Sequence, residues 1–105
     1  MPDEREATAR ASAEDVARRS YGKLVAFLAA RTGDVAGAED ALSEAFATAL
    51  VDWPERGVPD SPEAWLLTVA RRRLVDAGRR RRTQTESVDH LKLLMDELEA
   101  AEFLI

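Results

Sequence analysis

Apolar residues recur along this 105-residue chain at three- and four-residue steps, and no stretch alternates with the two-residue period of a half-buried strand. That pattern reads as helix almost throughout, so the fold class expected is all-α. A chain of this length makes one small domain with a modest core and too little material for a large pocket, so no elaborate enzyme is expected. Cysteine is absent, which removes both a disulfide framework and a thiolate zinc site, and His90 alone makes no histidine cluster. The reading therefore calls for no cofactor and no metal. The start, Met1-Pro2-Asp3-Glu4-Arg5-Glu6, lacks the basic beginning and apolar stretch of a signal peptide, and no apolar run approaches the ~20 residues of a membrane span. A cytoplasmic protein without a membrane partner is expected.

Local signals divide the helical pattern. Residues 1–11 are charged and lack large apolar side chains, which reads as a flexible arm. Ser12 then reads as the cap of a first helix, with Glu14 and Asp15 favourably placed at the positive end of its dipole. Val16, Tyr21, Leu24, Val25, Phe27 and Leu28 fall within about half its circumference and are expected in the core. Gly33 is a natural stop and Asp34 a natural cap for a second helix reaching about Trp53, where Pro54 is expected to end it. The inward stripe of that helix is Leu42, Phe46, Leu50 or Ala49, and Trp53, with Ala38 and Ala45 permitting close approach. After a loop at 54–60, Ser61-Pro62-Glu63 is a strong helix start, and the third helix is expected to run to about Arg82. Trp65 stands at the edge of its apolar arc, where core packing or stacking on an unpaired base both suit it. Residues 83–87 read as a polar linker, followed by an acidic amphipathic helix carrying Val88, Leu91, Leu94, Met95, Leu98 and Ala101 and ending on Phe103-Leu104-Ile105. The architecture expected is a bundle of three main helices plus this C-terminal helix, with the helical domain at 12–82 and the linker and acidic helix at 83–105.

Charge is distributed more unevenly than the net value of −5 suggests. Residues 71–82 hold seven arginines against one acid, a local +6 beside a remainder of −11. Such asymmetry points to a polyanion, although an arginine run also makes an ordinary solvated helix face. On a helical projection Arg71, Arg72, Arg79 and Arg82 occupy about 100°, lining one flank over about 16 Å, a spacing that suits several phosphates. The segment 34–53 is the converse, with five acids and no base. Asp40, Ser43, Glu44, Ala47 and Val51 share its outward arc, which reads either as a docking face for a basic partner or as an acidic solvent face.

The segments Ala38-Glu39-Asp40-Ala41-Leu42-Ser43-Glu44-Ala45-Phe46 and Ser61-Pro62-Glu63-Ala64-Trp65-Leu66-Leu67-Thr68-Val69-Ala70-Arg71-Arg72-Arg73-Leu74-Val75-Asp76 occur in this order. Together they resemble region 2 of bacterial sigma-70 family sigma factors of the extracytoplasmic-function type, over about residues 16–82. The resemblance implies a transcription initiation role without catalysis by this chain. Its partners would be core RNA polymerase, through the clamp helices of the largest subunit, and the non-template strand of promoter DNA. It makes Asp40, Ser43, Glu44 and Ala47 the implied polymerase contacts. The loop at 54–61, with Pro59, Asp60 and Ser61, matches the segment that holds a flipped base of the minus-10 element. Arg71, Arg72, Arg79, Arg80 and Arg82 would meet its backbone. Ser43 and Arg72 depart from the glutamine and asparagine common in relatives. These sigma factors also carry a second helical domain, region 4, for which 105 residues leave no room, so a piece of a longer protein or a naturally short one is expected.

A second reading is a stand-alone helical interaction or regulatory module without promoter-directing activity. The acidic helix, six acids and one lysine within 83–105, is its distinguishing feature. A homodimer through this helix is the partner it would add, and an anti-sigma factor is a further partner the sigma-factor reading allows.

Overall fold

A computed structural model describes the backbone of residues 3–104 and the side chains of 3–100. It contains three helices, α1 (Glu4–Thr32), α2 (Val35–Arg56) and α3 (Pro62–Leu104), and no strand among the described residues, so the chain is all-α. The chain divides into two units, Met1–Leu74 and Val75–Ile105, with the boundary falling within α3.

In the first unit α1 begins at Glu4 rather than after Ser12. Asp3 caps it, its Oδ1 accepting from the Glu6 amide at 2.8 Å, while Glu4 and Glu6 complement the dipole of the first turn. Residues 4–11, expected as an arm, are thus helical, and Ala9 and Ala13 are buried in the core. The physical reason is that close-packed alanines bury a helix face without large side chains to advertise it. Met1 and Pro2 lie outside the described residues.

Val16, Leu24, Val25 and Leu28 form the inward stripe of α1, as expected. Tyr21 and Phe27, expected with them, are exposed instead, Phe27 at 43%. Position around the axis does not by itself bury a side chain: Phe27 shares the angle of the buried Ala9, about five turns earlier, yet is exposed and lies under the Arg31 guanidinium, 5.0 Å from the ring centre.

The turn into α2 follows its local chemistry. Gly33 adopts φ 70°, its amide closing on the Ala29 carbonyl at 2.7 Å, and Asp34 Oδ1 accepts from the Gly37 amide at 2.9 Å. Ala38, Ala41, Leu42, Ala45, Ala49 and Trp53 are the buried face of α2. Ala49, not the exposed Leu50, therefore completes the stripe. Pro54 does not end the helix: α2 runs to Arg56 and closes where the Gly57 amide donates to Trp53 O at 2.8 Å. A proline forfeits the bond from its own nitrogen and crowds the carbonyl four residues back, here that of Leu50, and in a last turn this cost is tolerated.

Pro62 opens α3 as expected, with the Ser61 carbonyl accepting from the Trp65 amide at 3.2 Å. Leu66 and Ala70 complete the buried core, and Trp65 packs edge-on against Trp53 with centroids 5.4 Å apart. Half-buried and stacked in this way, Trp65 serves the core.

Beyond Leu74, α3 continues without a break, so 83–87 is helix and the expected fourth helix is the distal part of α3. Threonine, glutamine and serine differ from good helix formers by only tenths of a kcal/mol each, and no proline or glycine lies among them. Thr85 donates its hydroxyl back to the Arg81 carbonyl at 3.0 Å, which leaves the helix intact. Val88, Leu91, Leu94, Met95 and Leu98 are exposed. The side chain of Ala101 and the Phe103-Leu104-Ile105 terminus lie outside the side chains described. No helix among the described residues is long and apolar enough to cross a membrane.

Candidate functional site

The alanine-rich face of α2 turns toward the core, and helical geometry sends the opposite face outward. Asp40, Ser43, Glu44 and Ala47 all stand exposed there, spaced three and four residues apart, so the fold brings this predicted group together. Val51 extends it at 75% exposure, and with Ala47, Thr48, Asp52, Glu55 and Arg56 it lines a shallow hollow. Arg56 pairs with Asp52 at 3.1 Å within this helix. The acid-only stretch thus keeps Asp40 and Glu44 on an accessible surface.

The loop after α2 is fixed at both ends. Gly57 holds φ 92° and ψ 154°, a backbone conformation open essentially to glycine. Val58 then packs against the core, and Pro59 is half-buried. Asp60 and Ser61 are exposed next to them, so these two form a short exposed rim beside the half-buried Pro59 on an anchored segment. At the start of α3, Glu63 accepts a long hydrogen bond, 3.5 Å, from Ser20 Oγ of α1, tying the rim's support to a second helix. A separate hollow lies where the capping Asp3 and Glu4, Arg5 and Thr8 of α1 meet residues 53–58.

Arg71 and Arg72 are exposed on α3 within the first unit. Arg79, Arg80 and Arg82 are exposed in the second unit, further along the same helix. Arg73 behaves differently from its two neighbours. Its Nε lies 3.5 Å from Oε2 of Glu44, joining α3 to the outward side of α2. This pair was not foreseen from the sequence, because periodicity treats each helix alone and says nothing of which outward residues meet across two helices. The signal available was only an acid on one face and more arginines than the flank of α3 uses. Chemically the surfaces offer carboxylates, guanidinium groups and a loop rim, a set suited to binding anions and cations.

A family model described as Sigma-70 region 2 matches residues 16–84. An uncharacterized protein of Rhizobium meliloti (strain 1021) is 44% identical over 48 residues, which is 46% of this chain and 11% of that protein. The chain therefore spans about a tenth of the length of that relative. No solved structure matches.

Proposed function

The chain belongs to the Sigma-70 region 2 family, and from that premise we propose that it is a polymerase- and promoter-binding domain of a transcription initiation factor, of the extracytoplasmic-function type. The observation that carries the reading is the exposed outward face of α2, with Asp40 and Glu44, inside the matched residues 16–84. This acidic, helical surface docks on basic residues of the clamp helices of core RNA polymerase, with Ser43 and Ala47 providing close contact between the carboxylates. The rim of Asp60 and Ser61, with Pro59 beside it, takes a base extruded from the minus-10 element, and anchoring by Val58 and the two tryptophans keeps it shaped before binding. Arg71, Arg72, Arg79, Arg80 and Arg82 hold non-template phosphates and set affinity rather than base choice.

The test is capture of core RNA polymerase by the wild-type chain and by Asp40→Lys/Glu44→Lys, with circular dichroism used to establish intact helix. Capture by the first and loss in the second supports the docking face. Capture by neither sinks the reading.

A specific observation favours a second reading. Val88, Leu91, Met95 and Leu98 present an exposed apolar side in the second unit, which suits a helical interaction module pairing with a second copy or with an anti-sigma partner. Sedimentation equilibrium of wild type against Leu91→Asp/Leu98→Asp separates the two partners: a dimer lost in the variant supports pairing of copies, and a monomer in both rejects it.

A further inference from the structure

Between Val16 and Gly33 the chain carries Arg18, Arg19, Lys23 and Arg31 and no acid, a local +4 in a chain of net −5. On α1 a step of four residues turns about 40° beyond a full turn and rises about 6 Å. Arg19, Lys23, Phe27 and Arg31 therefore follow one another on a slowly winding stripe about 18 Å long, while Arg18 lies half a turn away from Phe27. All four stripe residues are exposed, as are the small Ala26 and Ala30 beside them. Arg19 is engaged by Asp15 one turn earlier, but the ion pairs among the described residues include neither Lys23 nor Arg31. Phe27 stands between these two cations, 43% exposed, and belongs neither to the core nor to the residues packed against it. Its ring meets only the Arg31 guanidinium, a contact that breaks readily when a phosphate draws the arginine away.

We propose that Lys23, Phe27 and Arg31 form a further nucleic-acid site on α1 that takes single-stranded DNA, the two cations holding phosphates and the Phe27 ring stacking on a base between them. Charge and aromatic exposure together select this occupant. An acidic protein surface would use the cations and leave the ring idle, and a duplex keeps its base faces stacked inside, whereas an unpaired strand offers phosphates and π faces at once. Ala26 and Ala30 keep the helix surface low on this side, so a sugar-phosphate backbone can lie along it. The site draws on no residue of α2 or α3. Only the choice of DNA over RNA rests on the function proposed above.

Affinity is measured by fluorescence anisotropy in the full chain, on a DNA single strand and on its duplex, across a range of salt, with circular dichroism establishing intact helix in each variant. Lys23→Gln/Arg31→Gln should flatten the single-strand salt slope by roughly 1.4, the value for two phosphate contacts. Phe27→Leu keeps an apolar side chain but removes the ring, so it should weaken single-strand binding about five-fold or more and leave duplex binding and the salt slope unchanged. Arg18→Gln removes the same charge from the far side of α1 and should change affinity by less than about two-fold. A loss from Arg18→Gln equal to that from the stripe would mean that net charge alone counts, and would overturn the proposal, as would unchanged single-strand affinity in Phe27→Leu. Contact is read on the wild-type chain by photocrosslinking to a strand carrying 5-iodouracil, followed by trypsin. Cleavage after Lys23 and Arg31 releases Leu24–Arg31, in which Phe27 is the one aromatic residue. A crosslink on that peptide supports the site, and crosslinks confined to other peptides overturn it. Tighter binding of the RNA strand of the same sequence would overturn the assignment to DNA. Loss of all single-strand binding in Arg79→Ala/Arg82→Ala would overturn the α1 site and leave the reading of α3 intact. Binding by no protein, wild type included, would reject both.

Discussion

Leu66 is fully buried and, among the described residues of α3, the one large side chain that is. The hold of α3 on the first unit should therefore be concentrated there. Leu66→Ala removes three carbon atoms from the core, a transfer loss of roughly 2 kcal/mol. If a void of about 50 Å³ persists, it adds about 1 kcal/mol. The expected total of about 3 kcal/mol is a large part of the stability of a unit this size, and corresponds to a fall in Tm of about 12–24 °C. Trp53 and Trp65 both lie in the first unit, so thermal unfolding followed by tryptophan fluorescence reports on that unit without contribution from the second. Leu50→Ala is the matched control, because the same chemical change at a first-unit side chain 45% exposed should cost less than about 0.5 kcal/mol. A fall of under about 4 °C for Leu66→Ala, equal to that of the control, would refute the packing of α3 described above.

Three further outcomes are expected. Asp3→Ala should lower stability by about 1 kcal/mol through loss of the α1 cap while Ser12→Ala stays near neutral, as measured by urea unfolding; the reverse order would restore the later start for α1. Gly33→Ala should cost about 1–2 kcal/mol, because φ 70° is strained for a residue with a Cβ, and an unchanged urea midpoint would contradict that conformation. Arg79→Ala/Arg82→Ala should weaken single-strand binding and flatten its salt slope by roughly 1.4 with little change in base preference, whereas Asp60→Ala should change preference; an anisotropy series over oligonucleotide sequence and salt distinguishes the two, and the opposite pattern would undo the division of roles.

The parts of the fold legible in sequence were those decided within a few residues. The stop at Gly33, the cap at Asp34 and the opening at Ser61-Pro62 each rest on the local chemistry of one or two residues, and each appears where expected. What could not be read depended on neighbours distant in sequence. Ala9 and Ala13 carry little hydrophobic signal, and only their burial in the core shows why α1 reaches back to Glu4. Pro54 is a breaker by itself, but its place in a last turn made it harmless. The polar run 83–87 lacked any residue able to stop a helix already under way. At the candidate site, the outward quartet of α2 followed from periodicity alone, since fixing the inward face fixes its opposite. The Arg73–Glu44 bridge did not, because it needs the relative placement of two helices.

The buried face of α2 has an evolutionary consequence. Ala38, Ala41, Ala45 and Ala49 are all buried, so this face of α2 is built mainly from side chains that have almost nothing left to trim. Nearly every replacement at these positions adds volume to a core already filled, and overpacking of that kind costs about 1–3 kcal/mol. Sequence drift along this face should therefore be one-sided, admitting glycine and serine while rejecting valine, leucine and phenylalanine. The outward positions 40, 43, 44 and 47, interleaved among these alanines, face no such limit of space. Two neighbouring registers of one helix would then evolve under different rules, the inner confined by geometry and the outer answerable to whatever it touches.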